Sequence, residues 1–163
     1  MAFFEIYKNE IIVFVLSMLP ISEIRGSVIF GAAAGMDPVF VYILSVIGNF
    51  LPVPFILWLF RPILKFLRRF KIMKRFANWL ERHAHRKAGK LMKVGAVALY
   101  VFVAIPLPTT GAWTGSMIAS LFDMRFKYAI PAILCGIVSS GIIMTLLVTG
   151  VLNLGALNRL FLK

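Results

Sequence analysis

The apolar run "IIVFVLSML" (Ile11 to Leu19) stops at Pro20, and Glu23 and Arg25 follow inside a second apolar stretch that continues to about Gly35. Nine helical residues at about 1.5 Å each reach only half of a roughly 30 Å hydrocarbon core. Charge at that depth costs roughly 2.5–3.5 kcal/mol per residue on insertion scales. Broken backbone is tolerated there only where protein or a water-filled cavity satisfies it. A chain that keeps a proline, a carboxylate and a guanidinium together in such surroundings is tightly constrained. The surroundings are set by composition: 61% of the 163 residues are hydrophobic, too many for a water-soluble domain of this size to cover. The expected fold is an all-α integral membrane protein.

The same punctuation recurs. "VGAVALYVFVAI" (Val94 to Ile105) is a short apolar helix stopped by "PLPTTG", and small residues again follow in "AWTGSMIASLF". A shift of 86 residues lays Pro20 on Pro106, Asp37 on Asp123, Phe40 on Phe126 and Tyr42 on Tyr128. Two long apolar segments complete the pattern, Asp37 to Phe60, interrupted by Asn49, Pro52 and Pro54, and about Tyr128 to Val151. The expected organisation is one membrane domain: 1–10 an interfacial N-terminal helix, 11–60 a first repeat of hairpin plus transmembrane helix, 61–93 a basic segment, 94–151 a second repeat, and 152–163 a tail. Asp37 and Asp123 read as helix-start residues. The N-terminus has no basic region ahead of its apolar segment, so no removable signal is expected.

The net charge of +12 is concentrated between Arg61 and Lys93, where twelve Lys/Arg stand against Glu81 alone. A basic block between two apolar halves fits the positive-inside rule and places this loop in the cytoplasm. Its interleaved Ile63, Phe66, Phe70, Phe76 and Trp79 suggest an amphipathic helix on anionic lipid headgroups rather than a nucleic-acid surface. His83 and His85 are too isolated to imply a metal site, and the single Cys135 has no partner for a disulfide.

Two topologies fit: broken segments that cross the bilayer, or re-entrant hairpins that dip in and return. The second relates the halves by an axis in the membrane plane and brings two tips to the midplane, the inverted-repeat logic of transporters. A polar cavity is then expected around Pro20, Pro106 and Pro108, with Glu23 exchanging a proton or cation and Arg25 gripping a phosphate or carboxylate. Ser22, Asn49, Thr109, Thr110 and Trp113 would add neutral donors. Glu23 and Arg25 could also be no more than a structural pair. No cofactor, metal or enzymatic constellation is expected. A homodimer is expected, because two spans and two hairpins bury little surface.

The motifs Pro20, Glu23, Arg25, Gly26 and "PLPTTGAWTG" (Pro106 to Gly115) resemble the small multidrug export protein family of bacterial and archaeal membrane proteins. More distantly they resemble the DedA/VTT superfamily, with its paired re-entrant hairpins bearing acidic and basic residues. This chain departs from the family pattern at Ile29, where a proline is expected, and at Thr109, where a glycine is. The resemblance implies a prokaryotic inner-membrane protein. The superfamily implies proton-dependent handling of phospholipids or polyprenyl phosphates, and the family name implies drug export. Three functions follow as expectations: translocation of an anionic amphiphile, export of cationic hydrophobic compounds, and a non-transporting scaffold.

Overall fold

The computed structural model describes residues 7–67, 88–107 and 110–161, and these are all-helical. In chain order the helices are α1 (Lys8–Met18), α2 (Glu23–Ala33), α3 (Pro38–Phe50), α4 (Pro52–Leu67), α5 (Ala88–Ala104), α6 (Ala112–Leu121) and α7 (Phe126–Phe161). The basic stretch 68–87, with Trp79, His83 and His85, lies outside the described residues. So do Phe3, Phe4, Ile6, Pro108 and Thr109. The flanks of the basic segment are helical, 61–67 ending α4 and 88–93 opening α5. Tyr7 caps α1, so Lys8 to Glu10 belong to the first hairpin helix.

Two stretches are long and apolar enough to cross a bilayer, Pro38–Phe60 and Phe126–Val151. Asp37 starts the first by accepting a hydrogen bond from the Phe40 N–H at 2.8 Å, with Pro38 in the first turn where its missing N–H costs nothing. Leu51 separates α3 from α4 because Pro52 and Pro54 cannot donate to the carbonyls of Gly48 and Phe50. Ile43, Ile47, Phe55, Trp58 (70% exposed), Leu146, Leu147 and Val151 all point outward. An outer face this apolar suits lipid and not water.

The chain forms two compact units, Met1–Leu51 with Ile137–Lys163, and Pro52–Gly136. One boundary therefore falls at the break between α3 and α4, and the other inside α7. In the first unit α1 lies along α2, and both pack on α3. Contact along their length means that α1 and α2 fold back as a hairpin instead of continuing in line. Gly141 of the same unit sits against Ile24 and Tyr42, and the Tyr42 hydroxyl donates to the Val138 carbonyl at 3.4 Å. In the second unit α6 packs on α4 and touches α5.

The two halves repeat in detail, and the structure corrects the register. Gly48 lies against the Phe14 carbonyl and Ser17, while Gly136 lies against the Tyr100 carbonyl and Val103. Phe14 to Tyr100 and Ser17 to Val103 are shifts of 86; Gly48 to Gly136 is a shift of 88. The closing turns agree with the larger shift. Gly35 N–H donates to Ala32 and Met36 N–H to Gly31, at 3.1 and 3.0 Å; Asp123 donates to Ser120 and Met124 to Ala119, at 3.1 and 2.9 Å. The second tip is thus two residues longer. Asp123, with φ 52, ends α6 in the left-handed position that Gly35 (φ 70) takes after α2. Its backbone thus takes the place of Gly35 in the closing turn.

Candidate functional site

Pro20 forbids α1 from continuing and holds Leu19 extended, at φ −75 and ψ 139. The chain turns through Ile21 and Ser22, and the Glu23 N–H closes the turn onto the Leu19 carbonyl at 2.9 Å. Pro20 and Ile21 are exposed, Ile21 almost fully at 97%. Glu23 is the opposite, at 6% exposure. Its φ of 49 is a left-handed conformation that costs a non-glycine residue roughly 1–2 kcal/mol. Under the shift of 88 its counterpart is Gly111, also at positive φ (152). The fold therefore admits a glycine here, and the first half keeps a buried carboxylate despite the strain.

Arg25, two residues on, is half-buried and lies within the electrostatic reach of the Glu23 carboxylate. A guanidinium this close offsets part of the cost of desolvating the acid. Ser22 is half-buried, and its Oγ, which has no hydrogen-bond partner, occupies the space left by Gly26. Any side chain at Gly26 would collide with it. These residues form one cluster at the first tip.

The second tip is built differently. The Thr110 hydroxyl shares its proton between the carbonyls of Ile105 and Leu107, both at 2.8 Å, and accepts from the Leu107 N–H at 3.2 Å. Expected as a ligand donor, it is committed to bracing the longer turn. Pro106 is half-buried in that turn. Trp113, in the first turn of α6, is half-buried and matches Arg25 under the shift of 88. Of the expected donors in this tip, Thr109 lies outside the described residues.

Asn49 is 1% exposed in α3, and its Oδ1 is buried without a hydrogen-bond partner. Two neighbours escaped the sequence reading. Ser45, one turn earlier on the same face, is fully buried and its Oγ also lacks a partner. Ser17 of α1, fully buried as well, packs its Oγ against Gly48, between those two turns, and donates to the Phe14 carbonyl at 2.6 Å. Leaving a buried polar oxygen unsatisfied costs about 1–3 kcal/mol. The four-residue spacing of Ser45 and Asn49 was visible in the sequence; that Ser17 joins them was not.

No curated protein and no solved structure matches the chain. The family model described as "Putative small multi-drug export protein" matches residues 23–143, from the buried Glu23 through the second tip and into α7. That span covers most of the chain, and the chain belongs to this membrane export family.

Proposed function

We propose that this chain is a transporter or lipid translocase that moves an anionic amphiphile, such as a phospholipid or polyprenyl phosphate, across a prokaryotic inner membrane. Arg25 binds the anionic headgroup through its planar fork of donors. Glu23 carries the coupling proton. One observation supports this reading above the others: Glu23 is buried beside Arg25 on strained backbone, at a position where the other half of the fold has glycine. A scaffold would have no reason to keep that strain.

The topology belongs to the same proposal. At about 1.5 Å per residue the 11-residue helices α1 and α2 are each about 16 Å long, half a bilayer, and they fold back on each other. Read as re-entrant hairpins in an inverted repeat, they bring Glu23 and Arg25 toward the midplane, as broken helices do in transporters. The basic segment 61–93 then lies on the cytoplasmic leaflet. A second reading, export of cationic hydrophobic compounds with Glu23 as the counter-ion, draws on the family's description. It requires Arg25 to face away from the substrate.

Flux into proteoliposomes of defined orientation separates the two. A fluorescent polyprenyl-phosphate or phospholipid analogue is compared with a cationic dye, with and without a pH gradient. The expected result is gradient-dependent movement of the anionic lipid, abolished by Glu23→Gln and by Arg25→Ala in folded protein. Movement of the dye alone, unchanged in Arg25→Ala, would reverse the assignment of Arg25.

A further inference from the structure

We propose that Ser17, Ser45 and Asn49, with the backbone carbonyl of Gly48, form a binding site for a dehydrated sodium-sized cation in the core of the first unit. The inference stands apart from the transport reading of Glu23 and Arg25. Three observations carry it.

The first is placement. Asn49 is the central residue of the 23-residue candidate span Pro38–Phe60, with eleven residues on either side. At that depth there is no bulk water to serve a buried oxygen. Asn49 Oδ1 and Ser45 Oγ are buried without hydrogen-bond partners, and the two residues are 1% and 0% exposed. Pro52 adds to the supply, because it cannot donate to the Gly48 carbonyl on the same turn.

The second is the comparison with the other half. Ser17, Ser45 and Asn49 correspond to Val103, Ile133 and Ile137, which are 2%, 0% and 0% exposed. The same packing positions accept apolar side chains, so polarity in the first half is not a requirement of the fold. Packing alone therefore does not account for those oxygens.

The third is chemistry. The cluster offers only hard, neutral oxygens, which suits a monovalent alkali cation. A divalent ion would call for carboxylates, and among the described residues no group of three His, Cys, Asp or Glu could hold a metal. The Ser17 hydroxyl already gives its proton to Phe14, which leaves its lone pairs directed away from that bond and able to accept.

The test is thermal unfolding of the full chain in nanodiscs, in NaCl against N-methyl-D-glucamine chloride at fixed pH and ionic strength. Wild type should show a saturable rise in melting midpoint with Na⁺ of about 3 °C once the ion exceeds its dissociation constant about tenfold. Asn49→Ile, which installs the residue of the matching position, should abolish the rise. Asn49→Asp, which keeps the oxygen and adds charge, should shift the midpoint of the Na⁺ titration at least tenfold lower. Equal melting of wild type in the two salts would overturn the proposal and leave the cluster holding no more than a structural water. An Na⁺ effect that persists in Asn49→Ile would place the ion elsewhere. Should Asn49→Ile not fold, an unchanged Na⁺ titration in Asn49→Asp would overturn the proposal equally.

Discussion

The two halves of this molecule share a backbone plan and differ in what they bury. At matched positions the first half holds Ser17, Ser45, Asn49, Glu23 and Arg25, and the second holds Val103, Ile133, Ile137, Gly111 and Trp113. At those positions the second half serves packing and backbone geometry, with branched aliphatics in the core, a glycine at positive φ and an aromatic at the tip, while it buries Ser116 and Ser120 where the first half has Val28 and Ala32. Its hydroxyl at Thr110 is committed to bracing its own turn. At these positions the first half bears desolvation and strain for polar groups that the matching positions do without. At each matched pair of positions, the half without the polar group is the control for the half that has it.

The largest expected effect tests that inference directly. Replacing Glu23 and Arg25 together by the matching residues, Glu23→Gly with Arg25→Trp, should drop lipid flux to the liposome background while circular dichroism reports a folded helical protein. Loss of a buried pair as a whole is often neutral or stabilising. Retained flux would return the pair to a purely structural role.

The glycines test the shared plan. A methyl at Gly136 would lie 2.6 Å from Val103 Cβ and 3.1 Å from the Tyr100 carbonyl, and one at Gly48 would meet the Phe14 carbonyl at 2.9 Å as well as Ser17. Gly48→Ala and Gly136→Ala should each cost about 1–3 kcal/mol, measured as a lowered thermal midpoint. If only one of them destabilises, the halves do not pack their first helices alike.

Backbone conformation sharpens the register. A methyl at Gly35 would meet no neighbour within 4 Å, so Gly35→Ala should cost about 1 kcal/mol through its positive φ alone, again read from the thermal midpoint. Gly35→Asp, which copies Asp123, should cost less, because aspartate tolerates the left-handed region better. The smallest effect belongs to a helix start: Asp37→Ala should lose about 0.5–1 kcal/mol with its cap, read from the thermal midpoint.

Much of this was legible in the residues themselves. Composition and the two long apolar runs settle an all-helical membrane chain, and Pro20 and Pro106 end α1 and α5 because proline supplies no N–H and restrains the residue before it. Asp37 and Pro38 announce the start of α3 for equally local reasons. Glu23 and Arg25 stand out because charge in apolar sequence is expensive wherever the chain goes.

What local chemistry could not decide was decided by packing. The two-residue difference between the tips leaves the helices on either side unaltered, and an ungapped shift of 86 matches enough side chains to conceal it; only the facing of Gly48 on Ser17 and of Gly136 on Val103 reveals it. Ser17 gave no signal, and Ser45 gave only its spacing from Asn49, since a serine in an apolar helix can bond a carbonyl of its own preceding turn and be indifferent to its surroundings. Their burial beside Asn49 depends on which face of α1 meets which face of α3. The order of residues was enough to commit this chain to a membrane, to break its helices and to place its charges. Which small polar side chains meet was left to the packing of one helix on another, because burial is a property of two surfaces and a sequence displays them one at a time.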